Sequence, residues 1–155
     1  MTVKKITRAA AVGALYAALT LAAAPISFGL VQFRVSEALC VLPWMIPEAA
    51  WGLFVGCILS NVIGGYGMPD IVFGSLATLI AALATARIKK KWLACLPPVI
   101  SNAIIVGAVL SLAMGVSYPV SAAYVFAGEA AVMYILGLPL LMLLTKSGIA
   151  DKIKS

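Results

Sequence analysis

Glutamate and asparagine side chains lie inside long apolar stretches of the sequence, where a polar group is costly and therefore indicates function. Glu129 lies near the middle of the last apolar stretch, and Asn102 lies near the middle of the one before it. A buried carboxylate with no cation nearby in the sequence either protonates or binds a ligand that donates hydrogen bonds or carries positive charge. We therefore predict that Glu129, Asn102 and Asn61 contact a ligand, with a hydrogen bond to another helix as the alternative for each.

Further polar side chains lie at the ends of apolar stretches. Arg34 and Glu37 are three positions apart, one helical turn, and could form an ion pair. That pair either fastens a loop or takes part in ligand binding, and the sequence leaves both open. Asp70 fits a helix N-terminus, where negative charge is favourable, or a ligand contact. The ring of Tyr66 could stack on a flat ligand or anchor the chain at a membrane interface.

The sequence contains no pattern typical of an enzyme or of a metal or nucleotide site. It has no histidine and three cysteines without C-x-x-C spacing, so we predict no metal site and interpret the cysteines as packing residues. Neither a phosphate-binding glycine-rich loop nor a G-x-S-x-G nucleophile motif occurs. We therefore expect a protein that binds a small molecule without a cofactor and without catalysing a reaction.

The composition predicts the environment of the chain. Apolar residues make up 64% and charged residues 10%, against roughly 45–50% and about 25% in soluble domains. The net charge of +6 comes mainly from basic clusters at 4–8, 87–91 and 146–154. Short clusters between apolar stretches are typical of the cytoplasmic ends of membrane spans, not of nucleic-acid binding. The sequence thus predicts an all-α integral membrane protein of the cell membrane.

The number of crossings depends on the stretch from 35 to 63. As one helix it would contain Pro43 and Pro47, which break helical hydrogen bonding, and the cluster at 87–91 would face the outside. As two helices it leaves that cluster and the N-terminal cluster inside. We therefore predict one domain of six membrane-spanning helices with both termini cytoplasmic. These predicted helices lie at about 9–30, 35–46, 49–63, 70–86, 92–115 and 119–145.

Small residues recur every four positions on the first predicted helix, at Ala10, Ala14 and Ala18. Such a strip permits another helix to approach closely in lipid. The strip is unusually wide and continuous on this helix, so we predict that it contacts a partner helix. Packing inside the monomer is the alternative, and the contact could instead use Gly13 and Ala17.

Three segments carry recognisable motifs: V-Q-F-R-V-S-E-A-L at 31–39 followed by Leu42-Pro43, G-x-x-x-G-C-x-x-S-N at 52–61, and G-G-Y-G at 64–67. These motifs resemble the QueT family of substrate-binding S components of energy-coupling factor (ECF) transporters, and the resemblance covers nearly the whole chain. It implies a six-helix S-component fold with cytoplasmic termini. It also implies uptake of a 7-deazaguanine such as preQ1, queuine or queuosine. The implied partners are a transmembrane coupling protein and two ATPase subunits, which would dock on the strip of the first helix.

Such a ligand suits the polar residues above. Most of them fall in the outer half of the predicted bundle, with Glu129 and Asn102 near mid-depth, and they would line a pocket open to the outside. A 7-deazaguanine presents N–H donors that a carboxylate can accept in pairs, a carbonyl that needs a donor, and a flat face for an aromatic ring. The predicted substrate-binding residues are Arg34, Glu37, Asn61, Tyr66, Asn102 and Glu129. The sequence does not decide which carboxylate binds which edge of the ligand. The alternatives are an S component for another vitamin-like molecule, or a membrane scaffold without a small ligand.

Overall fold

Helix α1 spans Val3–Ala22 in the structure, a computed structural model that describes residues 2–148. The sequence predicted a helix at 9–30, but lysine and arginine are good helix formers, and α1 includes the N-terminal basic cluster. Pro25 has no N–H to continue the helix. The chain therefore makes only a short helical turn at Ala24–Ser27 and reaches Arg34 through turns and extended backbone.

Helix α2, at Val35–Trp44, is a 3-10 helix and forms the centre of the fold. All eight residues from 36 to 43 are buried, so no face of this segment is left for lipid along that length. At about 2 Å per residue it spans about 20 Å, which is less than the roughly 30 Å of a bilayer core. The apolar core around it includes residues from all five other long helices, among them Tyr16, Leu53, Ala82, Val99 and Met133.

Four more helices complete the described part of the chain. They are α3 (Ala49–Gly64), α4 (Asp70–Thr85), α5 (Lys91–Met114) and α6 (Tyr118–Lys146). The all-α class predicted from the sequence is confirmed for residues 2–148, which contain no strand. Among these residues, α5 and α6 are long and apolar enough to cross a membrane, and α2, α3 and α4 are shorter apolar helices.

Helices α1 and α3 touch through their backbones, which requires glycine on both. A Cβ atom on Gly13 would lie 2.6 Å from the carbonyl oxygen of Gly52, and one on Gly56 would lie 2.5 Å from that of Gly13. A Cβ atom on Gly52 would overlap the carbonyl oxygen of Ala9. Small residues permit this close approach, and the Gly13 face of α1 is therefore used inside the monomer.

Contacts between distant segments define two ends of the bundle. At one end, Arg8 forms an ion pair with Glu48 at 3.5 Å. At the same end, the Lys91 ammonium donates to Thr145 Oγ1 at 2.8 Å. The same ammonium lies 5.9 Å from the centre of the Trp44 ring. We call this the basic end, because it joins the N-terminal cluster, the cluster at 87–91 and the end of α6. Lys152 and Lys154 of the third cluster lie outside the described residues.

At the opposite end, the loop at 64–67 lies against the segment that links α1 to α2. The Tyr66 hydroxyl donates to the carbonyl oxygen of Phe28, and Gly128 of α6 is packed so closely against the carbonyl of Val31 that a Cβ atom would not fit. We call this the polar end, because the buried charged side chains lie between it and the middle of the bundle.

Candidate ligand-binding site

Three carboxyl groups and one guanidinium are buried between the helices. Glu37, Asp70 and Glu129 are 1%, 0% and 2% exposed, and Arg34 is 3% exposed. They come from α2, α4, α6 and the segment just before α2, so the fold brings together residues that are far apart in sequence. Buried charges are expensive unless paired or hydrogen-bonded, and the partners of each group therefore decide what the site can bind.

Arg34 pairs with Asp70 rather than with Glu37. Its Nη2 atom lies 3.5 Å from Asp70 Oδ2, its Nε donates to the carbonyl of Ser27 at 3.3 Å, and its guanidinium lies 5.1 Å from the centre of the Phe28 ring. The ion pair with Glu37 that the sequence suggested is absent from the described contacts. The predicted pair assumed that both residues lie on one face of the same helix. In the structure, Arg34 has extended backbone geometry and precedes the first turn of α2.

Asn61 holds the start of α4 in place. Its Nδ2 donates to the backbone carbonyl of Asp70 at 2.9 Å and to the Cys57 sulfur at 3.6 Å. A backbone carbonyl only accepts hydrogen bonds, so this contact fixes which way the amide points and directs Oδ1 elsewhere. The Cys57 sulfur also accepts from Thr78. Cys57 is buried and free. The sequence indicated a packing residue and did not predict its contacts with polar side chains.

Glu37 is bonded within the core through both oxygens. The hydroxyl of Tyr16 donates to Oε1, and the thiol of Cys40 donates to Oε2 at 3.0 Å. Sequence reasoning missed Tyr16, although a signal was available, because a buried tyrosine hydroxyl usually finds a partner. A second pair beside it joins Thr20 of α1 to Ser36 of α2 at 2.6 Å, so α1 positions the polar residues of α2.

Glu129 and Asn102 meet across α6 and α5. Asn102 Nδ2 donates to Glu129 Oε1 at 2.7 Å, which is the interhelical bond that the sequence left as the alternative. The bond uses only half of each group, because Glu129 Oε2 and Asn102 Oδ1 are buried and have no partner among residues 2–148.

Several buried oxygen atoms lack a hydrogen bond within the described residues. Buried polar groups are normally bonded, with few exceptions per 100 residues. The carboxyl and amide oxygens without a partner are Asn61 Oδ1, Asp70 Oδ1, Asn102 Oδ1 and Glu129 Oε2, and the hydroxyls are Ser27, Ser75 and Ser121. The serine hydroxyls can donate as well as accept, so the balance depends on the four carboxylate and amide oxygens, which only accept, against two nitrogens that only donate, Gln32 Nε2 and Trp44 Nε1. The arrangement therefore has acceptors in excess and suits a ligand rich in N–H donors.

Tyr66 covers the polar end with a hydroxyl that is already engaged. Besides the bond to Phe28, its backbone N–H donates to Asp70 Oδ2 at 3.3 Å. Burial, followed by the negative charge of Asp70, raises the pKa of the Tyr66 phenol, so the hydroxyl stays a donor above neutral pH. The loop requires glycines, since Gly67 has φ +81 and a Cβ atom on Gly65 would lie 2.7 Å from Asp70 Oδ2. A ligand contact by Tyr66 would thus use its ring.

The strip of Ala10, Ala14 and Ala18 lies on the exposed face of α1. A surface groove of about 420 Å³ between α1 and α3 is lined by Ala10 and Ala14 of the strip but not by Ala18, and its other wall includes Trp51, Val55 and Leu59. Gly13, the alternative register, faces α3 and is buried. The predicted strip is therefore available to another helix.

Comparison with known proteins identifies the family. The family model described as QueT transporter matches residues 6–146. The Queuosine precursor transporter QueT of Lactococcus lactis subsp. cremoris (strain MG1363) is 36% identical over 73 residues, which span 46% of this chain and 43% of the relative. No solved structure matches. The resemblance seen in the sequence motifs is thus confirmed, and the chain belongs to the QueT transporter family.

Proposed function

We propose that this chain is the substrate-binding S component of an ECF importer and that its ligand is a queuosine precursor, a 7-deazaguanine such as preQ1, queuine or queuosine. The chain would bind the ligand and leave ATP hydrolysis to its partners. Membership of a transporter family supports transport over catalysis. The relative in Lactococcus lactis is named as a queuosine precursor transporter, which supports the choice of ligand class.

The excess of buried acceptors carries this proposal. Four carboxylate or amide oxygens lack partners within the described residues, against two nitrogens that only donate, Gln32 Nε2 and Trp44 Nε1, and Trp44 lies at the basic end. The edge of a 7-deazaguanine offers ring and amino N–H groups, and an aminomethyl substituent adds a cation. Satisfying buried acceptors is worth more than the same bonds in water, because an unsatisfied buried group costs about 1–3 kcal/mol. A donor-rich flat molecule therefore suits this site better than an anionic or purely apolar one.

Glu129 is the residue we assign to the donor edge of the ligand. Its Oε2 and the Oδ1 of Asn102 have no partner among the described residues, and the bond between the two side chains links the groups that carry these atoms. Asn61 Oδ1 and Asp70 Oδ1 are further buried acceptors without a partner among the described residues, and Asp70 is the residue that pairs with Arg34. Arg34 and Glu37 already have partners and would act mainly by positioning the site, and the Tyr66 ring would cover it.

We further propose that all six helices span the plasma membrane and that the basic end is cytoplasmic. Contacts among Arg8, Glu48, Lys91 and Thr145 support a common side for the two basic clusters and the end of α6. Positive residues favour the cytoplasmic side, so the polar end would face outward, as an importer requires. Helix α2 is short, and the burial of residues 36–43 in the bundle means that protein rather than lipid surrounds most of its backbone.

Coupling to the ATPase module would occur through the strip of Ala10, Ala14 and Ala18. In lipid, helices associate through close packing of small residues, and the exposed strip lies beside a groove that a partner helix could fill. The partners would be the transmembrane coupling protein and its two ATPase subunits.

A thermal-shift experiment on the purified chain tests the ligand class. A ligand that binds only the folded state stabilises it by about 2.7 kcal/mol at 100 times its Kd. We expect preQ1, queuine or queuosine to raise the melting temperature and common vitamins to leave it unchanged. Stabilisation by a vitamin alone would favour an S component for another substrate, and no stabilisation by either group would favour a scaffold protein.

A further inference from the structure

A second groove, remote from the buried polar site, lies at the basic end between the start of α5 and the end of α6. It encloses about 800 Å³, and its wall is formed by apolar side chains, including Trp92, Leu138, Met142 and Leu143. Three of these large apolar side chains are exposed: Trp92 and Met142 are each 56% exposed and Leu143 is 67% exposed. We call it the α5–α6 groove.

Two lysines line the same groove. Lys91 begins α5 and Lys146 ends α6, and no acidic residue lines the groove with them. The Lys91 ammonium is held over the groove by its bond to Thr145 Oγ1 at 2.8 Å and by the Trp44 ring at 5.9 Å. A lysine has three donors, so two remain after the bond to Thr145. The groove thus combines a long apolar wall with a positioned positive charge.

We propose that the α5–α6 groove binds one anionic phospholipid of the leaflet that contacts the basic end. Its phosphate would contact Lys91 and Lys146, and an acyl chain would lie along Met142 and Leu143. The apolar wall needs hydrocarbon and the lysines need an anion, and a phospholipid of net negative charge satisfies both. Basic pockets between helices at a membrane surface favour such headgroups. This site does not depend on the ligand of the buried polar site.

Charge and shape together select this occupant. A free phosphate would leave the apolar wall uncovered, and a neutral lipid would leave the ammonium groups without a counter-charge. Trp92 follows Lys91 at the start of α5 and lines the groove, and indole rings are enriched at the headgroup level of membrane proteins. The groove therefore differs from ordinary lipid-facing surface by the positions of its two cations.

Native mass spectrometry of the full-length protein tests the proposal. The protein is purified in detergent and titrated with phosphatidylglycerol and with phosphatidylcholine of the same acyl chains, and the bound lipid is counted. We expect one phosphatidylglycerol to be retained at least tenfold more tightly than phosphatidylcholine. Each of Lys91→Gln and Lys146→Gln should weaken it about fivefold, the effect of about one cation at an anionic surface. Met142→Trp, which fills the groove, should also displace it.

Lys89→Gln is the matched control, because Lys89 is an exposed lysine of the same basic cluster that does not line the groove. It should change lipid binding less than twofold. Equal retention of the two lipids would overturn the proposal, and so would an equal effect of Lys89→Gln and Lys91→Gln, which would indicate diffuse attraction. Displacement of the lipid by inorganic phosphate alone would indicate an anion site without an acyl chain. If the groove variants Lys91→Gln, Lys146→Gln and Met142→Trp lose co-purification with the coupling protein while their lipid binding is unchanged, the groove is a protein interface instead.

Discussion

The guanidinium of Arg34 and the carboxylate of Asp70 form an ion pair at 3.5 Å between side chains that are 3% and 0% exposed. The pair links the segment before α2 to the first turn of α4, across 36 residues of sequence. Asp70 also accepts from the backbone of Tyr66, so one carboxylate ties Arg34, the loop at 64–67 and α4 together. The covered polar end therefore depends on this pair.

Removing one partner of that pair should destabilise the protein strongly. Asp70→Asn and Arg34→Met each leave a buried charge without its counter-charge, which costs about 3–5 kcal/mol. A double-mutant cycle measured by denaturation in detergent should give a large coupling energy for Arg34 with Asp70. The same cycle for Arg34 with Glu37 should give little, since Glu37 bonds to Tyr16 and Cys40. The reverse order of the two coupling energies would contradict this account of the polar end.

Glu129→Gln should weaken ligand binding by about 1.5–3 kcal/mol, the range for hydrogen bonds to charged groups. That corresponds to about a 10- to 150-fold rise in Kd. The reason is that the substitution replaces the free acceptor Oε2, or its partner Oε1, by a donor. Calorimetry on the purified variant measures the change. Glu48→Gln is the control, because Glu48 pairs with Arg8 at the basic end, and an equal effect of the two substitutions would assign Glu129 a structural role.

Ala14→Trp should separate binding from transport. The side chain lies on the exposed face of α1 and lines the groove beside α3, so a bulky ring should block a partner helix without reaching the buried polar site. Ligand affinity in detergent should stay within about twofold of the wild type, whereas ATP-dependent uptake and co-purification with the coupling protein should be lost. Ala123→Trp, at an exposed alanine of α6, is the control. Wild-type uptake by Ala14→Trp would place the docking surface elsewhere.

Gly52→Ala should destabilise the protein by forcing α1 away from α3. Its new methyl group would overlap the carbonyl oxygen of Ala9, and overpacking of this kind typically costs about 1–3 kcal/mol. Unfolding measured by circular dichroism in detergent gives the loss. Gly29→Ala serves as the control because its methyl group would meet nothing closer than 3.9 Å. If both variants are equally stable, the two helices have room to separate and the packing described for them is wrong.

A cysteine placed at Lys90 should react with a membrane-impermeant thiol reagent only when the reagent reaches the cytoplasmic side. Lys90 is exposed in the basic cluster between α4 and α5, and the native cysteines Cys40, Cys57 and Cys95 are all buried and free, which keeps the background low. Labelling is compared between intact cells and inverted vesicles. Reaction in intact cells would contradict the six-span topology.

The sequence predicted the helical class and several of the residues that meet in the buried site, but not their partners. Hydropathy and composition suffice to predict the helices, because segments that are buried in lipid or protein must be apolar along most of their length. The partner of Arg34 could not be predicted from spacing, since Arg34 precedes the first turn of α2 and its neighbour comes from α4. The need of a buried tyrosine hydroxyl for a partner could have drawn attention to Tyr16, but nothing in the sequence around it identifies Glu37 as that partner. The break after α1 was signalled by Pro25, whereas the 3-10 geometry of α2 had no comparable sequence signal.

The most direct test of the account is calorimetric titration of the purified chain with preQ1, followed by titration with a vitamin that other importers carry, such as riboflavin. The account predicts 1:1 binding of preQ1, competition by other 7-deazaguanines, and no heat of binding from the vitamin. A folded protein that binds the vitamin in a 1:1 complex and gives no heat with any 7-deazaguanine would contradict it.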